Sequence, residues 1–113
     1  MQIGSGQHAA LLGQYAQALF FNDGDFSTRV NQAIAKALGY DPQDVSALSL
    51  LGIQAFEAQN YNAAIGFWQR ALPRAGEGQG QASLQAGIAS AQQMLQQSSD
   101  PGVGIAITVN LVN

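Results

Sequence analysis

The stretch Ala47-Leu-Ser-Leu-Leu-Gly52-Ile-Gln-Ala-Phe56-Glu-Ala-Gln-Asn60-Tyr61-Asn-Ala-Ala64-Ile-Gly-Phe-Trp68-Gln-Arg-Ala71-Leu72 decides how this chain folds. At helical period it reads as one helix up to about Ala58, a turn at Gln59-Asn60, and a second helix over 61–72. Gly52 in the first helix and Ala64 and Ala71 in the second are small where two antiparallel helices must approach closely. Leu48, Leu51, Tyr61, Ile65, Trp68 and Leu72 supply the bulk around them. Tyr61, Ala64, Ile65, Trp68 and Leu72 share one helical stripe, which is expected to be core.

Small crossing residues ringed by large ones are the pattern of a tetratricopeptide hairpin, whose period is about thirty-four residues. Stepping back by that period puts Gly52 on Ala18, Ala64 on Val30, Ala71 on Ala37 and Leu72 on Leu38, with no gap. The residue classes agree. The expected organisation is therefore a degenerate repeat over 11–44 and a well-formed repeat over 45–76. Two repeats fall short of the three or so that usually stand alone, so a capping element is required. Residues 79–97 supply it: Leu84, Ile88, Ala91 and Leu95 recur at amphipathic spacing, and Gln and Ser make the other face a polar end-cap.

Around these repeats the first helix is expected over 7–21, stopped by Asn22-Asp23-Gly24-Asp25. Ser27 or Asp25 caps the next helix, over 28–38, and Gly39 ends it. Asp41 is placed to cap the third helix, with Pro42 at its first position and Asp44 in its first turn. Residues 73–80 read as a Gly-rich loop. After Ser98 the pattern changes. Asp100-Pro101-Gly102 is a turn, and Val103 to Val112 alternates at period two, as a strand does. The fold class is thus all-α, tetratricopeptide-like hairpins over 1–98, with a short C-terminal β-strand in a 99–113 tail that reads as the start of a truncated further domain. A lone strand must pair with a sheet edge in a further domain or another molecule, so strand-mediated pairing between copies and a monomer with a disordered tail are equally admitted.

Composition removes several function classes. Charged residues make up 10% of the 113, net charge is −3, and Arg29, Lys36, Arg70 and Arg74 are scattered, whereas there are sixteen glutamines. Nucleic acid needs a basic cluster, and none is present. No apolar run is long enough to span a membrane, and the opening Met-Gln-Ile-Gly-Ser-Gly lacks a signal-peptide pattern and reads as the start of an excised fragment. Cysteine is absent, which excludes disulfide, thiol and cysteine-metal chemistry.

Catalytic constellations are equally thin, and no catalytic residue, metal or cofactor is expected. His8, the only histidine, is read as a solvated imidazole in a polar N-terminal turn, with no second nitrogen or sulfur ligand to share a metal. Asp23-Gly24-Asp25 starts like a calcium loop but lacks the remaining oxygen ligands and the closing Glu. Gly76-Glu-Gly78-Gln-Gly80 has neither the preceding strand nor the Gly-Lys-Ser/Thr of a phosphate cradle. Phe56, Tyr61, Phe67 and Trp68 sit at packing positions. An enzyme is not expected.

What remains is a surface. In stacked hairpins the first helix of each repeat lines the concave side, where peptides are held. The inward candidates are Leu12, Tyr15, Leu19 and Asn22 on the first helix and Ser49, Ile53, Phe56 and Glu57 on the third. Apolar anchors with few polar groups suit an amphipathic helix better than a charged tail. Leu19, Ile53 and Phe56 could equally serve the core.

Over about 10–97, these residues resemble the tetratricopeptide domain of the haem lyase subunits of bacterial cytochrome c maturation. The resemblance is carried by Asn60-Tyr61, Ala64-Ile65 and Trp68-Gln69, by the run from Ser83 to Ala91, and by Leu19-Phe-Phe-Asn22 and Ala35-Lys-Ala-Leu-Gly-Tyr-Asp-Pro42. It implies a periplasmic, protein-binding module, anchored to the membrane elsewhere in the chain or complex. Such a module holds the C-terminal helix of apocytochrome c while the lyase partners attach haem at its Cys-x-x-Cys-His segment. A thiol-free holder also avoids mixed disulfides with such a substrate. One branch of the family ends after the capping helix. The other continues into alternating strand, similar to 105–112, and the resemblance favours that branch. The competing expectation is a generic repeat scaffold or cochaperone of an envelope assembly, although gripping an acidic tail needs a Lys/Arg cluster that is not visible.

Overall fold

The computed structural model describes residues 5–76 and 78–98, all of them helices and the turns between them. The helices are α1 (Ser5–Asp23), α2 (Thr28–Tyr40), α3 (Val45–Glu57), α4 (Tyr61–Ala75) and α5 (Gln79–Ser98). The alternating segment after Ser98, with its expected strand, lies outside the described residues.

Each helix from α2 to α4 starts where a short polar side chain can take up a free backbone N–H. Ser27 accepts from the Val30 N–H, Asp44 from Ala47 at 3.0 Å, and Asn60 from Ala63 at 3.4 Å. The expected cap of α3 is thereby corrected: Asp44, not Asp41, is its N-cap, and Pro42 lies in the preceding turn. The side chain of Asp41 is instead drawn away by Arg74, at 2.6 Å across to the end of α4, while Arg70 donates to the Pro42 carbonyl at 3.0 Å. Helix α2 likewise runs past Gly39 to Tyr40, whose ring stacks on His8 of α1 with centroids 4.2 Å apart. His8 is thus half-buried in a helix, not solvated in a turn. Helix α4 continues through Pro73 to Ala75, leaving a shorter connection than the Gly-rich loop expected over 73–80.

The helices form two hairpins, α1 with α2 and α3 with α4; α3 lies against both helices of the first hairpin, and α5 packs on α4. Two buried clusters result. One gathers Ala16, Leu19, Val30, Ile34 and Leu50; the other gathers Leu48, Tyr61, Trp68, Leu84 and Ile88. Leu38 and Ile53 pack against both, so the core is continuous from α1 to α5.

Gly52, Ala64 and Ala71 are buried, as the crossing argument requires. Ala18 is not: it faces solvent, and Ala9, Gly13 and Ala16 carry the buried small side of α1. Four residues separate α1 from α2 (Gly24 to Ser27), against three between α3 and α4 (Ala58 to Asn60), so the two hairpins are not strict copies. A constant step holds on the second helices, where Val30 and Ala37 fall on Ala64 and Ala71, and fails on the first. At Gly13 an added Cβ would overlap the Asp44 carboxylate, which marks the closest approach of α1 to the start of α3.

Ion pairs hold the turns. Asp23 accepts two hydrogen bonds from Arg29, at 2.6 and 2.9 Å, and one from Ser27, which keep its carboxyl well below the usual carboxylate range. Asp41 is lowered by Arg74 and the Gln43 N–H. Asp44 goes the other way, because burial pushes its carboxyl up and the Ala47 N–H only partly offsets it. Its folded pKa therefore lies above its unfolded one, so its contribution to stability falls as pH rises from 3.8 through the raised value. Asp44→Asn keeps a capping side chain without the charge. The variant is expected to gain thermal stability relative to the wild type as pH climbs through that window; melts at pH 3 to 7 showing a flat or opposite difference would contradict this.

Candidate functional site

Helix α5 packs on α4 but diverges from α3, and the gap between α3 and α5 is a groove floored by Trp68. Two bays make it up. One, of about 280 Å³, is bounded by Ile53, Phe56 and Glu57 on one side and Gly87 and Ser90 on the other. The second, of about 360 Å³, lies between Val45, Ser49 and Ile53 and the α5 residues Gly80, Ser83 and Leu84. Ile53, Trp68 and Gly87 belong to both and form the saddle between them.

Trp68 can serve as the floor because its neighbours are small. Its indole is wedged between Gly52, where a Cβ would overlap the ring, and Gly87, where a Cβ would stand 3.0 Å from it. Its Nε1–H donates to the Ser49 carbonyl at 3.2 Å, which fixes the ring plane. Phe56, 6.1 Å away between centroids, leans on the same indole and in turn meets Tyr61 edge-on at 5.1 Å. The α5 wall is made of small residues at helical spacing, Gly80, Ser83, Gly87 and Ser90. The site is thus an apolar trough with a rigid aromatic base and low walls, suited to close approach of another backbone.

Of the eight residues expected to line a groove, the four on α3 come together here: Ser49 in one bay, Phe56 and Glu57 in the other, and Ile53 in both. The four on α1 do not join them. Leu19 is core, 7% exposed. Asn22 is exposed and donates to Asp23. Leu12 and Tyr15 border a separate hollow of about 180 Å³ facing Arg29 and Lys36 of α2. The sequence reading missed Trp68 as a floor and the α5 wall altogether. The available signal was the small-residue period Gly80, Ser83, Gly87, Ser90, hidden inside a helix read as an end-cap.

The chain is 38% identical over 119 aligned positions, covering 95% of its own length, to the cytochrome c-type biogenesis protein CycH of Pseudomonas aeruginosa. Over 68 positions, 59% of its length, it is 35% identical to NrfG of Escherichia coli O157:H7, a subunit of the formate-dependent nitrite reductase complex. It spans only 29% of the first relative and 34% of the second, about a third of each. No protein-family model matches the chain, and no solved structure matches it. By sequence, the chain is similar to part of a cytochrome c-type biogenesis protein.

Proposed function

We propose that the chain is a tetratricopeptide-type module of the periplasmic cytochrome c maturation machinery, in which the α3–α5 groove holds the C-terminal helix of an apocytochrome c for haem attachment by other lyase subunits. The observation that carries the reading is the groove itself: two apolar bays over a fixed indole, open along one side. Its dimensions fit helix-in-groove recognition, in which apolar anchors one or two turns apart enter successive pockets. Kinship to a cytochrome c biogenesis protein supports the process. No helix among the described residues is long and apolar enough to cross a membrane, so any anchoring rests on other parts of the protein or complex. The role is binding, not catalysis.

Trp68, the only tryptophan, reports on the site directly. Titration with a peptide copying the C-terminal helix of a c-type cytochrome should change its fluorescence and saturate at a Kd of about 1–100 µM, the range of a small helix-in-groove interface. Absence of binding by protein with an intact helical circular-dichroism spectrum rejects the reading.

A further inference from the structure

We infer that the groove selects its helix by charge as well as shape, taking an amphipathic helix with a Lys or Arg beside its apolar stripe, seated against Glu57. The inference rests on the helix-holding reading above and adds the partner's charge and the end at which it lies.

The groove is nearly free of formal charge. Helix α5 has no charged residue among its twenty, and α3 has only one, Glu57. None of the four basic side chains lines either bay. Arg29 is held by Asp23, Arg70 and Arg74 are committed to the turn at Asp41–Pro42, and Lys36 lies by the α1–α2 hollow. Glu57 therefore stands at one end of the trough with no ion pair among the described residues. It is also the last residue of α3, where the backbone carbonyls add partial negative charge. The N-terminus of α4, beginning at Tyr61, opposes that partial charge, so the formal charge of Glu57 sets the sign at the Phe56 end. Among the described residues, the other end, at Val45, Gly80 and Ser83, has no charged lining side chain.

The spacing of the bays sets where the cation belongs. Their midpoints lie about six residues apart along α3, roughly 9 Å at the helical rise. That separation takes two large apolar side chains between one and two turns apart on the bound helix. Glu57 borders the outer edge of the bay holding Phe56, so the Lys or Arg falls within about a turn of the anchor in that bay. A carboxylate there would face uncompensated repulsion, and a neutral residue would forgo the attraction.

Two synthetic helical peptides with the same apolar stripe, one with Lys and one with Glu at that flank, should be titrated into the full chain, following Trp68 fluorescence. The Lys peptide is expected to bind about fivefold to tenfold more tightly at low salt, as for a pair of partly exposed charges. The advantage should shrink at high salt as screening sets in, collapse in Glu57→Gln and reverse in Glu57→Lys. Glu57 is exposed, so these variants keep the fold. Equal affinities, or a Lys preference that persists in Glu57→Gln, would overturn the charge inference while leaving the groove reading intact. Failure of both peptides, together with failure of the cytochrome peptide, would overturn both.

Discussion

Trp68→Ala is expected to destabilise the chain by about 3–5 kcal/mol, the range for deleting a large buried aromatic. The indole is 7% exposed and is confined by two other helices: by Gly52 and Phe56 of α3 and by Gly87 of α5. Removing it leaves a cavity where two glycines cannot fill in, and it takes away the ring against which Gly87 of α5 rests. The lost hydrogen bond to the Ser49 carbonyl adds little, because that oxygen lies within α3 and still has its helical partner. For a domain whose whole stability is about 5–15 kcal/mol, the loss is a large fraction, and melting should fall by more than about 12 °C. Circular dichroism at 222 nm measures it, since the variant has no tryptophan to report. A loss below about 1 kcal/mol would mean that α5 closes onto α3 and that the groove is not held open by the indole.

The same contact explains why the groove lies between α3 and α5 and not along α1. Glycine at positions 52 and 87 lets the ring lie flat between two helices, so α5 can rest on α4 while staying clear of α3. Between α1 and α3 the close approach is made by Gly13 against Asp44, a polar cap filling the gap. Stability and site therefore share one device. The residue that anchors the fifth helix is also the surface on which a partner would rest.

The hairpin of α3 and α4 was legible because its signals are local: the turn at Gln59-Asn60, the stripe of Tyr61, Ala64, Ile65, Trp68 and Leu72, and Gly52 at the crossing. Helix α1 was legible as a helix but not in its orientation. Leu12, Tyr15, Leu19 and Asn22 recur at helical spacing, yet which neighbour that stripe meets depends on the turn before α2, and Leu19 went to the core while Tyr15 stayed 56% exposed. Periodicity finds a face; it does not say what the face meets. The α5 wall was hidden for a related reason. Ser and Gly at 80, 83, 87 and 90 look like the polar side of a cap until a tryptophan from another helix is placed beneath them.

Gly52→Ala and Gly66→Ala should have opposite signs, although both replace a helical glycine with the best helix former. Propensity alone favours each substitution by about 0.8–1 kcal/mol. At Gly66, in the middle of α4, an added Cβ meets nothing within 4 Å, so that gain should appear nearly whole as a rise in stability of about 0.5–1 kcal/mol. At Gly52 the new methyl would overlap the five-membered ring of Trp68. The indole cannot turn aside cheaply, because Gly87 of α5 and Phe56 confine it and its N–H is held by the Ser49 carbonyl. Helices α3 and α4 must then move apart, and overpacking of this kind costs about 1–3 kcal/mol before cavities opened elsewhere are counted. Steric cost exceeds propensity, so Gly52→Ala should lower stability by about 1 kcal/mol and quench or shift Trp68 fluorescence in the folded state. Urea unfolding of the two variants beside the wild type separates the effects. Stabilisation by both substitutions would mean that α3 and α4 are not in contact at Gly52, and the close crossing on which the hairpin and its groove depend would have to be abandoned.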